Sequence, residues 1–186
     1  DVMMGAAINM ARANGLAKKT FDEKLTQMSI LNEITYGVGL GAMLKGKNHK
    51  SGLFVPNPFL AHLNKTQVAT LPYEVKRMTQ DIAGGIAETG CMPSYADFVS
   101  PQYGAKLLDT LAAGSDPESR ARTARLVEWL TIGGGVPGCM HGGGSADGAK
   151  MVVKAFTKYE DFANDAARIA GVKVKLEDNM TYDPTK

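Results

Sequence analysis

Helix-start signals recur along this chain, whereas runs that alternate apolar and polar residues like a β-strand are scarce. Apolar residues recur at helical spacing from Val2 to Met10, with no cap before them. Thr20 and Glu23 have the spacing of a capping box, and the apolar pattern after them predicts one long helix towards Met43. With 186 residues, of which 44% are hydrophobic, the chain can bury one core. We therefore predict an all-α fold, an antiparallel helical bundle.

Prolines and glycines set the limits of the later predicted helices. A helix that starts near Phe59 is expected to end before Pro72, because proline disfavours the helical conformation of the residue before it. A new helix is expected from Pro72 through Gly84 and Gly85. Further helix starts are predicted at Ser100–Pro101, at Ser115 or Asp116 before Pro117, and at Ser145, and the last helix is predicted to end at Gly171. Residues 1–171 thus form the predicted helical domain, and residues 172–186 a polar C-terminal tail.

The densest glycine cluster lies between Gly133 and Gly144, where seven of twelve residues are glycine. Glycine loses more backbone freedom on folding than any other residue, so such a cluster is expected where the backbone needs φ > 0 or closely approaches a ligand or another subunit. Its N–H groups, with the helix N-terminus at Ser145, are suited to a phosphate or a carboxylate. A flexible linker has the same composition, but Met140 and His141 at the centre favour a ligand.

Charge and composition exclude several classes of partner. The 21 basic and 19 acidic residues are interspersed and give a net charge of +2, which argues against nucleic acid. No apolar run approaches the roughly 18 residues of a membrane span, and the first residues lack the pattern of a signal peptide. We therefore expect a cytoplasmic protein that binds neither nucleic acid nor membranes. Because Asp1 enters a helix directly, we expect the chain to be a piece of a longer protein, with the missing N-terminal portion as its partner.

Residues 37–48 are similar to two nucleotide-binding sequence patterns, and we reject both. Gly41–Asn48 differs from a P-loop at Asn48, which replaces the hydroxyl that would bind magnesium, and no predicted strand precedes it. Gly37, Gly39 and Ala42 match a dinucleotide pattern, yet they lie inside a predicted helix. Small residues at such positions let two helices approach closely.

His141 is the candidate for acid–base chemistry in the glycine-rich loop. The adjacent helix N-terminus is expected to lower its basicity, with a purely structural role as the alternative. Cys139 precedes it by two positions, but the other candidate ligands, Cys91, His49 and His62, lack metal-type spacing. We therefore expect no metal site in this segment.

Four segments carry a family signature: Gln80–Gly85 (QDIAGG), Ser119–Leu130 (SRARTARLVEWL), Met140–Ser145 (MHGGGS) and Ala170–Gly171. Together they resemble the flavoprotein family of 4-hydroxybutyryl-CoA dehydratase and 4-hydroxyphenylacetate 3-monooxygenase, with the dehydratase branch closer. The resemblance covers nearly the whole chain. It implies the C-terminal helical domain of such a protein, with the acyl-CoA dehydrogenase type of fold, assembled as a homotetramer whose subunits share FAD sites.

The resemblance also implies which residues approach the ADP portion of an FAD that is held mostly by a neighbouring subunit: Gln80, Ala83, Gly84 and Gly85. Two glycines at a helix end permit close approach to a pyrophosphate, although the same pair is also an ordinary helix stop. In the dehydratase branch a 4Fe-4S cluster is implied as well, with ligands upstream of this chain.

One position departs from the family pattern. A catalytic glutamate is expected two residues before the loop methionine, and this chain has Gly138 there. The acid–base step is then supplied by another residue, for which His141 is the candidate, or is done differently, or is absent.

The resemblance thus implies the C-terminal part of an FAD-dependent, dehydratase-like enzyme that acts on an acyl-CoA thioester. A flavin-dependent aromatic hydroxylase with a phenolic substrate is the first alternative. A non-catalytic paralogue that keeps the bundle and the tetramer interface is the second.

Overall fold

The computed structural model describes residues 1–88, 92–133 and 144–173. Within these ranges the chain forms nine α-helices: α1 Val2–Ala13, α2 Asp22–Leu44, α3 Pro58–Ala83, α4 Gly85–Glu88, α5 Tyr95–Phe98, α6 Gly104–Asp109, α7 Pro117–Thr131, α8 Ala146–Phe156 and α9 Tyr159–Ala170. A 3-10 helix, Lys18–Phe21, precedes α2. Two short antiparallel strands, β1 (Lys47–Asn48) and β2 (Phe54–Val55), form a hairpin between α2 and α3. The predicted all-α class is confirmed.

Helix α1 lies between two buried clusters because small and apolar residues occupy both of its sides. Ala6 and Met10, one turn apart, pack in a cluster that includes residues of α7 such as Val127. Ala7 and Ala11 face the other way and pack against residues of α2 and α3: Leu25, Met28, Met78 and Ile82. Helix α1 therefore joins α7 to the α2–α3 pair, and α8 packs on α3.

Helix α3 is continuous, and the predicted break before Pro72 is wrong. Asn57 caps its start, where the side chain accepts a hydrogen bond from the amide of Leu60 at 3.0 Å. Pro72 has no N–H to donate to the carbonyl of Val68, a cost of up to about 3 kcal/mol in a helix interior. However, α3 packs against α1, α2, α7 and α8, and this tertiary packing overrides the local preference.

Two predicted helix starts are displaced. Thr20 lies inside the 3-10 helix and the N-cap of α2 is Phe21, so the predicted capping box is wrong. The Phe21 ring packs against the cluster that contains Ala7 and Ala11. Its burial fixes the start of α2. Ser100–Pro101 lead into a turn instead of a helix, and α6 begins only at Gly104. An added Cβ at Gly104 would overlap the Phe98 carbonyl.

Three helix ends follow the local signals. The carboxylate of Asp116, and not Ser115, caps α7 by accepting from the amide of Ser119 at 2.9 Å. Ser145 caps α8 as predicted. Gly171 ends α9 in the left-handed conformation, with φ 67°.

The small residues of α2 are confirmed as packing residues at two of three positions. A Cβ on Gly39 would lie 3.1 Å from Nδ2 of Asn64 on α3, and Ala42 is buried. A Cβ on Gly37 would meet none of the described residues within 4 Å. No helix within the described ranges combines the length and the apolar composition that a bilayer crossing needs.

Candidate cofactor-binding site

Helix α3 ends in a turn that requires glycine. Gly84 has φ 76° and ψ −176°, a backbone region that is essentially limited to glycine. Its N–H donates to the carbonyl of Gln80 at 2.9 Å, and its own carbonyl accepts from the amide of Ala87 at 3.1 Å. The predicted helix through Gly84 and Gly85 is therefore wrong: Gly84 ends α3, and α4 starts at Gly85.

The backbone of this turn is open on one side. A Cβ placed on Gly84 or Gly85 would meet no atom of the described residues within 4 Å. Gln80 precedes Gly84 by four positions, on the same face of α3. Its side chain is half-buried, and its carboxamide has no hydrogen-bond partner among the described residues. An amide group beside uncovered backbone is an arrangement that can receive a polar ligand.

Ala83 lies on the opposite side, in the core. It is 1% exposed and packs with Ala87 in the buried cluster that contains Ala6 and Met10. Its carbonyl accepts a hydrogen bond from Nδ2 of Asn14 at 3.2 Å. Of the four residues that the resemblance assigns to FAD, the structure therefore brings Gln80, Gly84 and Gly85 together on the open face, and directs the side chain of Ala83 into the core.

A bridge of two polar side chains fixes the position of this turn. Asn14, just after α1, uses its amide nitrogen for Ala83 and its Oδ1 to accept from Nε of Arg120 at 2.9 Å. Arg120, in the first turn of α7, also donates through Nη1 to the carbonyl of Leu111 at 3.0 Å. Sequence reasoning assigned neither residue to the site, because the two bonds join residues 69 and 106 positions apart. Arg120 lies in the signature segment Ser119–Leu130, but the sequence does not show what its side chain contacts.

A sizeable cleft in the described part of the chain lies elsewhere. It measures about 550 Å³ and lies among α5, α6 and α7, with Tyr95, Phe98 and Leu108 in its lining. Its arginines are already engaged: Arg122 pairs with Glu118 at 2.5 Å, and Arg125 pairs with Glu128 and donates to the carbonyls of Met92 and Pro93. Charge in this cleft is thus neutralised internally, so we place the candidate site at the end of α3.

Several predicted site residues lie outside the described residues. Gly138, Cys139, Met140 and His141 belong to residues 134–143, and Cys91 belongs to residues 89–91. Beyond the glycine-rich loop, the hydroxyl of Ser145 accepts from the amide of Gly148 at 3.1 Å, so α8 begins where the sequence predicts.

Comparison with known proteins confirms the resemblance. The family model described as 4-hydroxyphenylacetate 3-hydroxylase C terminal (HpaB) matches residues 1–171. The chain is 31% identical over 188 residues to a 4-hydroxybutyryl-CoA dehydratase/vinylacetyl-CoA-Delta-isomerase from Clostridium aminobutyricum, covering 93% of this chain and 38% of that protein. It matches an oxygen-tolerant archaeal 4-hydroxybutyryl-CoA dehydratase from N. maritimus with a TM-score of 0.85 and 34% identity, over 96% of this chain and 37% of that one.

The chain therefore spans well under half the length of both relatives. Both are dehydratases, which agrees with the closer branch of the resemblance. This chain belongs to the 4-hydroxyphenylacetate 3-hydroxylase C-terminal family.

Proposed function

We propose that this chain is the C-terminal helical part of an FAD-dependent, 4-hydroxybutyryl-CoA dehydratase-like enzyme that acts on an acyl-CoA thioester. The observation that carries the proposal is the similarity to two dehydratases, at 31% and 34% identity over 93% and 96% of the chain. A fold of the acyl-CoA dehydrogenase type, a homotetramer and a missing N-terminal portion of the same protein belong to the same proposal.

The end of α3 suits a contact with the ADP portion of FAD. Its backbone is uncovered at Gly84, so a phosphate or ribose can approach more closely than any side chain would allow. The carboxamide of Gln80 offers both a donor and an acceptor on the same face. Asn14 and Arg120 hold the turn in place through the carbonyl of Ala83.

When bound, the flavin supplies the redox chemistry that makes an unactivated C–H bond acidic. The residues at the end of α3 contribute binding and orientation. For proton transfer we propose His141, since Gly138 occupies the position of the family's glutamate. A 4Fe-4S cluster, with its ligands upstream of this chain, is the remaining part of the proposal.

Anaerobic purification of the complete natural gene product that contains this chain tests the proposal. We expect a flavin absorption spectrum, bound iron, and loss of water from 4-hydroxybutyryl-CoA that mass spectrometry detects. A folded protein with neither flavin nor iron nor turnover would instead support the non-catalytic paralogue.

A flavin-dependent aromatic hydroxylase is the second candidate, because the matching family is itself described by a 4-hydroxyphenylacetate 3-hydroxylase. This candidate requires flavin without iron. It also requires hydroxylation of a phenol that depends on reduced flavin and oxygen. The iron assay and the two substrates therefore separate the candidates in one preparation.

A further inference from the structure

Basic and acidic residues are interspersed over most of the chain, but one stretch has no acidic residue. Residues 34–73, forty consecutive positions, contain no aspartate or glutamate, yet they hold four lysines and two of the three histidines: Lys45, Lys47, Lys50, Lys65, His49 and His62. The structure folds this stretch into the C-terminal half of α2, the β1–β2 hairpin and the N-terminal half of α3. We call residues 45–55 the basic hairpin. It forms one end of the α2–α3 pair.

Backbone hydrogen bonds give the basic hairpin a defined shape. Lys47 pairs with Val55 across the two strands. The amide of His49 donates to the carbonyl of Leu53 at 2.7 Å, and the amide of Ser51 donates to Nδ1 of the His49 ring at 3.2 Å. The turn that carries Lys50 is therefore closed by both backbone and side chain.

Contacts at the base of the hairpin attach it to the helices. The amide of Asn57 donates to the carbonyl of Ala42 at 2.9 Å. Gly46 lies so close to the opposite strand that an added Cβ would overlap the Phe54 ring and come within 2.8 Å of the Val55 carbonyl oxygen. The lysines are thus presented on a support that is fixed to α2 and α3.

The surface of the basic hairpin is both cationic and apolar. Lys45, Lys47 and Lys50 are exposed, and none of them pairs with a carboxylate in the described ranges. Leu53 beside them is 69% exposed, and Phe54 is exposed as well. A ligand that complements this surface carries several negative charges next to an apolar portion.

We propose that the basic hairpin binds the nucleotide end of coenzyme A, with Lys47 and Lys50 at its phosphates and Leu53 and Phe54 beside the adenine or the pantetheine arm. The inference rests on the proposed function, which supplies an acyl-CoA thioester as substrate. Coenzyme A combines a 3′-phosphate and a pyrophosphate with an adenine ring and with an arm that carries a gem-dimethyl group and methylene groups between its amides. The phosphates match the unpaired ammonium groups, and the adenine ring and the dimethyl group match the exposed apolar residues.

The position of the basic hairpin is compatible with a nucleotide site that is separate from the proposed FAD contact. The hairpin and Gly84 lie at opposite ends of α3, whose 26 residues span about 39 Å at 1.5 Å per residue. The nucleotide of the thioester and the ADP portion of FAD would therefore bind to different ends of one helix and would not compete.

Comparison of two thioesters tests the inference in the complete protein. The double variant Lys47→Gln/Lys50→Gln should raise KM for 4-hydroxybutyryl-CoA about fivefold to tenfold, because two exposed ion pairs are lost. KM for the matching pantetheine thioester, which lacks the nucleotide, should stay unchanged, as should kcat for both. Rising salt should reduce the preference of the unmodified enzyme for the CoA thioester.

Lys158→Gln is the matched control, since Lys158 is an exposed lysine far along the chain that pairs with Asp161 at 3.7 Å. It should change neither KM. If the double variant has unchanged KM values for both thioesters, the inference is overturned. A changed particle mass in sedimentation with unchanged KM values would overturn it too and would assign the hairpin to a protein contact.

A failure of the proposed function is distinguishable from a failure of this inference. If the unmodified protein turns over neither thioester, calorimetric titration with coenzyme A itself decides. If coenzyme A binds to the unmodified protein but not to the double variant, the hairpin site is supported. If coenzyme A binds to neither protein, the inference is overturned.

Discussion

At the scale of single residues, the turn at Gly84 has the most demanding backbone in the candidate site. Any side chain there is strained at φ 76° and ψ −176°, so Gly84→Ala should lower the free energy of unfolding by about 1–3 kcal/mol. Urea denaturation measures this change. Gly37→Ala is the control, because Gly37 lies within α2 with nothing near its missing Cβ. The control should raise stability by about 0.5–1 kcal/mol, and an equal loss in both variants would contradict the role of the turn.

The bridge through Asn14 gives a second prediction at this scale. Asn14→Ala leaves the carbonyl of Ala83 and Nε of Arg120 without their partner, which should cost about 1–3 kcal/mol of unfolding free energy. Chemical denaturation with an unchanged m-value checks it. Asn32→Ala removes an exposed bond to Asp1 and should cost less than about 0.5 kcal/mol.

At the scale of helices and turns, two carboxylates at helix starts make stability depend on pH: Asp116 caps α7, and Asp97 in the first turn of α5 accepts from the amide of the cap Ser94. The hydroxyl and then the amide of Ser119 lower the pKa of Asp116 below its usual value. The hydroxyl and amide of Ser94, followed by the hydroxyl of Tyr103, lower the pKa of Asp97 in the same way. Because the pKa falls on folding, the stabilisation is complete above the unfolded pKa of about 4 and is lost as pH falls through the folded value.

Unfolding measured at several values from pH 7 to below pH 3 tests these caps. The unmodified protein should lose stability throughout the acidic part of this range. Asp116→Asn keeps a capping oxygen but does not titrate, so its stability should fall less steeply with acid. An identical pH dependence in both proteins would show that this cap does not contribute.

Pro72 gives another prediction at this scale. Pro72→Ala restores an N–H that can donate to the carbonyl of Val68, and it should raise the free energy of unfolding by about 1–2 kcal/mol. The gain is smaller than the full intrinsic cost of proline because proline also restricts the unfolded chain. A loss of stability would show instead that packing of the half-buried Pro72 ring outweighs the missing hydrogen bond.

The helix ends and the contacts between helices differ in how far they could be predicted from the sequence. The caps at Ser145 and Gly171 were predictable because their hydrogen bonds join residues within one or two turns. The continuity of α3 through Pro72 was not, since it depends on packing against α1, α2, α7 and α8. The partly buried bridge from Asn14 was not predictable either, because no local pattern couples residues 69 positions apart. The Gln80–Gly85 segment was found only through its family resemblance.

At the scale of the whole molecule, helix α9 presents an uncovered apolar face. Phe162 is 62% exposed and Ile169 is 80% exposed, and α9 has no buried residue. The proposed homotetramer would cover such a surface, since contiguous exposed apolar residues favour association. Phe162→Glu/Ile169→Glu should therefore reduce the particle mass that light scattering measures for the complete protein.

Substitutions on the polar side of α9 provide the control for this experiment. Glu160→Gln and Arg168→Gln change exposed charges of the same helix and should leave the mass unchanged. A tetramer that persists in the double glutamate variant would place the subunit contacts on other surfaces.

The bond from Asn14 to the carbonyl of Ala83 also links the proposed cofactor contact to the packing of α1. An α3 helix formed on its own lacks this bond, because Asn14 follows the end of α1. A cofactor that binds only to the folded turn would not bind to the unfolded chain. The melting temperature of the protein would therefore rise as the cofactor concentration rises. The amount of bound cofactor would then measure the fraction of the protein that has folded.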